Sequence, residues 1–249
     1  MVTRQVGTLT KRKLQLRYVF ACWVISTEGN RKMLLTFLKN KIKTARFFWQ
    51  FRHLIDWSVW DVYNADFQVA RRDVYAKFVA NNNIKSIFEF GCASAPNFRN
   101  IEESNLAHPA ICIGYDINKA ALRTARKTLP ASRYYFVNKL SQKKIVELLA
   151  VVGLRQLDLA IYDRVLYLLS EDKFKTHLDE FCPILRFVII DDFHCKKGCQ
   201  SNGAYQTKNY VKIMRSYGFR LLTEDCSMHV AKEDFFKNYA KRLVFQKGF

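Results

Sequence analysis

The sequence predicts an α/β fold: a doubly wound, mostly parallel seven-stranded sheet with an antiparallel edge hairpin, preceded by basic N-terminal helices. Three observations predict it. Beyond residue 83, short apolar runs alternate with helical patterns at the spacing that builds a parallel sheet with helices on both faces. Those runs end in turn on small, acidic or amide residues, the types that serve ligands at the carboxyl edge of such a sheet. The last two runs are joined without a good helical pattern, which marks a hairpin at one edge.

Taken in order, "IKSIFEF" (84–90) reads as a buried strand, followed by a helix start near Asn97. "AICIGYD" (110–116) is a second strand and "NKAALRTARKTL" (118–129) a clear helix. "RYYFVN" (133–138) is a third strand, then comes the helix "SQKKIVELLAVV" (141–152). "LDLAIYD" (157–163) makes the fourth strand, with a helix across 171–181, and "RFVIIDD" (186–192) the fifth. After a polar loop, 205–218 reads as a helix, "FRLLTEDC" (219–226) as a sixth strand and "AKRLVFQKG" (240–248) as a seventh.

Upstream, Arg71 to Ala80 reads as a helix closed by the Asn81-Asn82-Asn83 turn. Residues 33–55 place Leu34, Leu35, Phe37, Leu38, Ile42, Ala45, Phe48 and Phe51 near helical spacing, with Lys and Arg on much of the other face. The aromatic-rich "DWSVWDVYNADF" (56–67) is suited to lie across a pocket mouth. The expected division is a basic, aromatic-rich helical extension over 1–67 and a catalytic domain over 68–249. A translation start at Met33 would make 1–32 upstream sequence without a role. The apolar stretch 18–26 is about half of what a membrane span needs.

The formal charge is +19, and its distribution is uneven: residues 1–56 carry 12 Lys/Arg against only Glu28 and Asp56. Such an N-terminus suits phosphates, nucleic acid or an anionic membrane face, or is simply a solvated helix face. A peripheral contact of 33–55 with anionic lipid or a partner protein is expected. Seven cysteines, an odd number without framework spacing, indicate a reduced, cytoplasmic protein. His194-Cys195-x-x-x-Cys199 lacks the second pair that would complete a tetrahedral zinc site, so no metal is expected there.

In a sheet of this kind, ligands bind beyond the carboxyl ends of the strands, near the point where strand order reverses. The first strand ends in Glu89-Phe90-Gly91-Cys92-Ala93-Ser94-Ala95. Gly91 permits a tight turn, and the small residues after it let a cofactor approach the backbone. The second strand ends in Asp116-Ile117, a carboxylate that can accept both ribose hydroxyls. The third ends in Asn138, suited to an adenine edge. The fourth ends in Tyr162-Asp163-Arg164, and the fifth in Asp191-Asp192 followed by His194.

Residues from about 84 to 249 resemble the class I S-adenosylmethionine-dependent methyltransferases, a Rossmann-like family. "SIFEFGCASAPNFRNI" resembles their first motif, "IGYDINKAAL" the second and "LDLAIYDRVLYLLSED" the fourth, while "YGFRLL" and "KRLVFQKGF" match the closing edge hairpin. The "GCASAPN" loop and the end of the fifth strand resemble bacterial enzymes of surface-glycan and small-molecule pathways. The resemblance implies S-adenosylmethionine as cofactor, with Glu89, Gly91, Cys92, Ala93, Asn97, Asp116, Ile117, Asn138 and Tyr162 as its binding residues. Two departures stand out: Ala93 and Ala95 replace glycines of the first motif, and Leu168 stands where many relatives place His.

The Asn/Asp-Pro-Pro-Tyr/Phe signature of amino-group methylation is absent, and "YDRV" stands in its place. The expected acceptor is therefore a hydroxyl, or as an alternative an amine, of a sugar, glycolipid or small metabolite, with His194 and Asp163 as candidate bases. Asp163, Asp191 and Asp192 would match the carboxylate set with which catechol-type members hold magnesium, though the Gly-Gly turn that accompanies it is missing. The alternatives are an RNA methyltransferase with the basic N-terminus as its phosphate-binding arm, and a non-catalytic paralogue.

Overall fold

The computed structural model describes residues 66–197, 200–202, 205–227 and 234–248. The N-terminal extension up to residue 65, with its amphipathic and aromatic stretches, lies outside the described residues, as does Cys199. Seven helices and nine strands follow in order among the described residues. They are α1 (Asp66–Asn81), β1 (Ser86–Phe90), α2 (Pro96–Ser104), β2 (Ile111–Tyr115) and α3 (Lys119–Thr128). Next come β3 (Tyr134–Val137), α4 (Gln142–Val151), β4 (Leu157–Asp163), α5 (Glu171–Phe181) and β5 (Leu185–Phe193). The chain closes with β6 (Ser201–Asn202), β7 (Tyr205–Gln206), α6 (Tyr210–Ser216), β8 (Phe219–Cys226), α7 (Asp234–Tyr239) and β9 (Ala240–Lys247).

Seven strands form one sheet in the order β3-β2-β1-β4-β5-β9-β8. β1 to β5 are mutually parallel, and β9 runs antiparallel between β5 and β8, so the edge hairpin is present as the sequence predicts. Strand order reverses at β1, whose neighbours are β2 and β4. That switch point is where a ligand crevice belongs.

The core has two halves because side chains alternate across a strand. Phe88, Ala160, Tyr162, Val188 and Ile190 pack with α4, α5 and α6 through Ile145, Leu149, Phe174, Leu178, Tyr210 and Met214. Ile87, Cys112, Leu159, Ile161 and Ile189 pack the other way, against Tyr75, Val79, Phe98, Ile101, Leu122 and Ala125 of α1, α2 and α3. Burial on both faces explains why the parallel strands read as nearly continuous apolar runs.

Two local expectations change. The helix expected over 205–218 begins at Tyr210, because Asn209 caps it, accepting from Lys212 N at 3.0 Å. Ahead of it Tyr205–Gln206 pairs with Ser201–Asn202 in a small hairpin. Between the last two strands of the sheet the chain makes the short helix α7, where the sequence has no clear helical pattern.

Candidate functional site

The loop after β1 has a distinctive backbone. Gly91, Ala93 and Ala95 take φ of 79°, 48° and 60°, so every second residue is left-handed. Glycine adopts this region freely and alanine at a cost of about 1 kcal/mol. The alanines thus hold the turn that glycines would make. A Cβ on Gly91 would lie 2.6 Å from Val165 Cγ2, so the loop and the segment after β4 approach each other closely at this point. The methyl of Ala95 is fully buried with Phe98 and Ile101, leaving none of its surface to face a ligand. Replacing Ala93, which is half-buried, by Gly should therefore raise stability by about 1 kcal/mol in thermal unfolding. Ala95→Gly should gain little, because it also removes a buried methyl worth about 0.8 kcal/mol.

The end of β2 is tied to this loop. Asp116 accepts hydrogen bonds from Ala93 N at 2.8 Å and from Asn118 N at 2.7 Å. Burial raises its pKa, and the N–H donors of Asn118 and Ala93 oppose the rise. Gly91 N and Cys92 N both donate to the Tyr115 carbonyl, at 2.7 and 3.0 Å. The Cys92 side chain points inward, its Sγ occupying the space that a Cβ on Gly114 would need. Ile117 is half-buried beside Asp116, and Asn138 is half-buried just past β3 with no hydrogen bond to its amide among the described residues.

Glu89, Asp163 and Asp191 lie on the α1 side of the sheet, on β1, β4 and β5, with Asp163 paired to Asp191 and Asp191 to Arg242 of β9. Helix α1 supplies Arg71, whose guanidinium holds Asp163 in a two-pronged ion pair at 2.7 and 2.9 Å. Arg71 also reaches Asp191 at 3.0 Å, joined there by Arg242 at 2.9 Å and Arg164 at 3.2 Å. Burial works to raise the Asp191 pKa, but the three guanidiniums outweigh it and hold the carboxyl well below the usual range.

Asn97, in the first turn of α2, donates to Glu89 Oε1 at 2.7 Å and to Asp163 Oδ2 at 3.0 Å. Glu89 Oε2 and Asn97 Oδ1 are buried without a partner. Burial, and then the charge of Asp163, push the Glu89 pKa up to about 8. The site therefore presents one unpaired amide acceptor, Asn97 Oδ1, beside a carboxyl, Glu89, that needs a positive neighbour to ionise.

The two candidate bases are held in different surroundings. Both oxygens of Asp163 are engaged, by Arg71 and by Asn97. His194 is buried against Tyr210, and its Nδ1 donates to the Lys208 carbonyl at 3.1 Å. Burial lowers its pKa, which favours the neutral ring, and Nε2 is buried and unpartnered. The side chain of Tyr162, an expected cofactor residue, is fully buried toward α5, with its hydroxyl 2.7 Å from His177 Nε2. Alternation along β4 sends Tyr162 to one face and Asp163 to the other, so only the Tyr162 backbone can face a ligand.

The magnesium arrangement is not formed. Asp163 and Asp191 are neutralised by arginines, and Asp192 accepts from Leu166 N at 2.7 Å and Phe193 N at 2.7 Å. Burial pushes Asp192 up to about 6. Among the described residues no cluster could hold a metal ion. Arg71, Tyr75 and Arg242 are the site residues that the sequence reading missed. The one sequence signal was an arginine inside the otherwise apolar run "RLVF".

By sequence, no family model and no curated protein matches the chain. Solved structures do match. The methyltransferase domain of bacterial CtHen1 is similar over 74% of this chain and 100% of its own, with TM-score 0.56 and 14% identity. The plantazolicin methyltransferase BpumL, solved with S-adenosylhomocysteine (SAH), matches over 88% and 99%, with TM-score 0.54 and 14% identity. The StiE O-MT domain matches over 73% and 75%, with TM-score 0.52 and 16% identity. The chain has the fold of the class I methyltransferases.

Proposed function

We propose that this protein is an S-adenosylmethionine-dependent methyltransferase acting on a hydroxyl of a sugar, glycolipid or small metabolite. One observation carries the cofactor reading: a left-handed loop at the strand-order switch point, set beside buried, unpartnered Glu89 Oε2 and Asn97 Oδ1. These acceptors fit an ammonium group, and Asp116 and Asn138 fit ribose hydroxyls and an adenine edge. Gly91, Cys92 and Ala93 contribute their backbone, and Ile117 an apolar flank. The cofactor, when bound, supplies an electrophilic sulfonium methyl. BpumL, which shares the fold, is solved with SAH, the product of such a transfer.

The chain's own contribution is alignment and proton removal. Of the two candidate bases, His194 is the one with an open lone pair, since Asp163 is held by Arg71. Because Nε2 is buried, proton transfer to it requires the acceptor to displace its covering. The hydroxyl acceptor is supported by the absence of the amino-methylation signature after β4, where Arg164 instead turns left-handed at φ 54°. The test is transfer of labelled methyl from S-adenosylmethionine to hydroxylated acceptors in the presence of EDTA. An alkali-stable ether product, lost in His194→Ala while SAH binding persists, supports the reading. Label recovered as N-methyl product would overturn the hydroxyl assignment.

The same reading places the protein in the cytoplasm, with residues 33–55 making a peripheral contact with anionic lipid or a partner. Among the described residues no helix is long and apolar enough to cross a membrane.

A further inference from the structure

Helix α3, which begins three residues after Asp116, carries an exposed cationic stripe. Lys119, Arg123, Arg126 and Lys127 are all exposed, and the helix contains no acidic residue. At 100° per residue the four fall within an arc of about 100°, and Lys119 to Lys127 spans about 12 Å along the axis. The opposite face, Ala121, Leu122 and Ala125, is buried in the core. Arg126 is anchored, donating to the Phe136 carbonyl at 2.6 Å, while Lys119, Arg123 and Lys127 make no ion pair among the described residues. Lys139, just past β3, is also exposed.

Helix electrostatics account for only part of this. Arg126 and Lys127 in the last turn complement the helix dipole, but Lys119 occupies the first turn, where a cation is disfavoured and an acid would stabilise. A partner with repeated negative charge would account for the whole stripe, including the unfavourable end nearest Asp116. The stripe exposes no large apolar side chain, because the apolar face of α3 is spent on the core. Insertion into a lipid interface, which requires an exposed apolar face, is therefore the poorer match.

We propose that the α3 stripe of Lys119, Arg123 and Lys127 docks the phosphate backbone of single-stranded RNA alongside the cofactor site. The inference goes beyond the hydroxyl-methylation reading and stands or falls separately from it, since it concerns a surface that holds no cofactor.

The test is fluorescence anisotropy of a labelled single-stranded RNA oligonucleotide with the full chain, as a function of salt. Lys119→Glu/Arg123→Glu/Lys127→Glu is compared with a charge-matched control on other surfaces, Lys212→Glu/Arg215→Glu/Arg220→Glu. Each lost phosphate contact removes about 0.7 from the slope of log affinity against log salt. The α3 variant should therefore lose about 2 in slope, and the control should lose far less. Calorimetric titration with SAH should give the same affinity in both variants, which reports an intact cofactor fold. Three results would overturn the proposal: no RNA binding by the full chain, equal losses in both variants, or a preference for phosphatidylserine vesicles that depends on the same three residues.

Discussion

Replacing Glu89 by Gln is expected to raise the melting temperature of the cofactor-free protein at pH 8.5 by roughly 10 °C, and at pH 5.5 by about a third of that. Glu89 is buried at the end of β1 with one oxygen unpartnered, and its folded pKa is pushed up to about 8 from an ordinary 4.5. Between those two values the folded protein holds a proton that the unfolded chain has released. Stability therefore falls as pH rises through this window, by roughly 3–5 kcal/mol in total. Glutamine does not titrate, and it brings an N–H donor to a site already rich in acceptors, so the alkaline loss should vanish. His177 works in the other direction. Its pKa is lowered by burial from 6.5 to about 4, so stability is lost as pH falls through that range. The two windows overlap between pH 4.5 and 6.5, where the opposing slopes cancel, so wild-type stability should be nearly flat there and fall on either side. A melting temperature of Glu89→Gln that tracks the wild type between pH 5.5 and 8.5 would contradict this assignment. The same substitution removes the anionic partner proposed for the cofactor ammonium, so SAH affinity should drop even as the fold stabilises.

Asp191→Ala is expected to be among the most damaging single changes in the sheet, costing about 3–5 kcal/mol, or roughly 10–15 °C in melting temperature. The carboxyl of Asp191 has no exposed surface and meets Arg71, Arg164 and Arg242, with the Tyr75 hydroxyl donating at 3.3 Å. Removing it leaves buried guanidiniums with too few counter-charges, and the cost is that of unpaired charge rather than of one lost contact. Arg242 lies directly across from Asp191 in the β5–β9 ladder. The double variant Asp191→Ala/Arg242→Met should therefore recover part of the loss, which a thermal unfolding cycle would measure. Additive losses in the double variant would show that the network is not what holds this edge together.

Much of the fold was legible because its causes are local. Apolar runs and helical periodicity reflect which segments are buried, although strands buried on both faces lose the alternation that tells one face from the other. Glu89, Gly91 and Asp116 were legible for the same reason: they end consecutive strands, so chain order alone brings them to one edge. Where the Tyr162 side chain lies was not legible, because position along a strand is easier to infer than parity, and one residue decides whether a side chain faces α1 or α5. The arginine cluster was hidden by separation along the chain, since Arg71, Asp163, Asp191 and Arg242 come from four elements. Ala93 and Ala95 show a further limit. They stand where the motif has glycines, yet the backbone keeps the left-handed geometry and turns the Ala95 methyl into the core.

The central claim is that the β1 loop, Asp116 and the Glu89–Asn97 pair form a working site for S-adenosylmethionine. Calorimetric titration of the protein with SAH, beside Asp116→Ala, tests it most directly. One binding site per chain is expected, with affinity reduced at least tenfold in Asp116→Ala, which stays folded but melts a few degrees lower because Ala93 N and Asn118 N lose their acceptor. Absence of binding to the folded wild-type protein, or equal affinity in the two proteins, would contradict it.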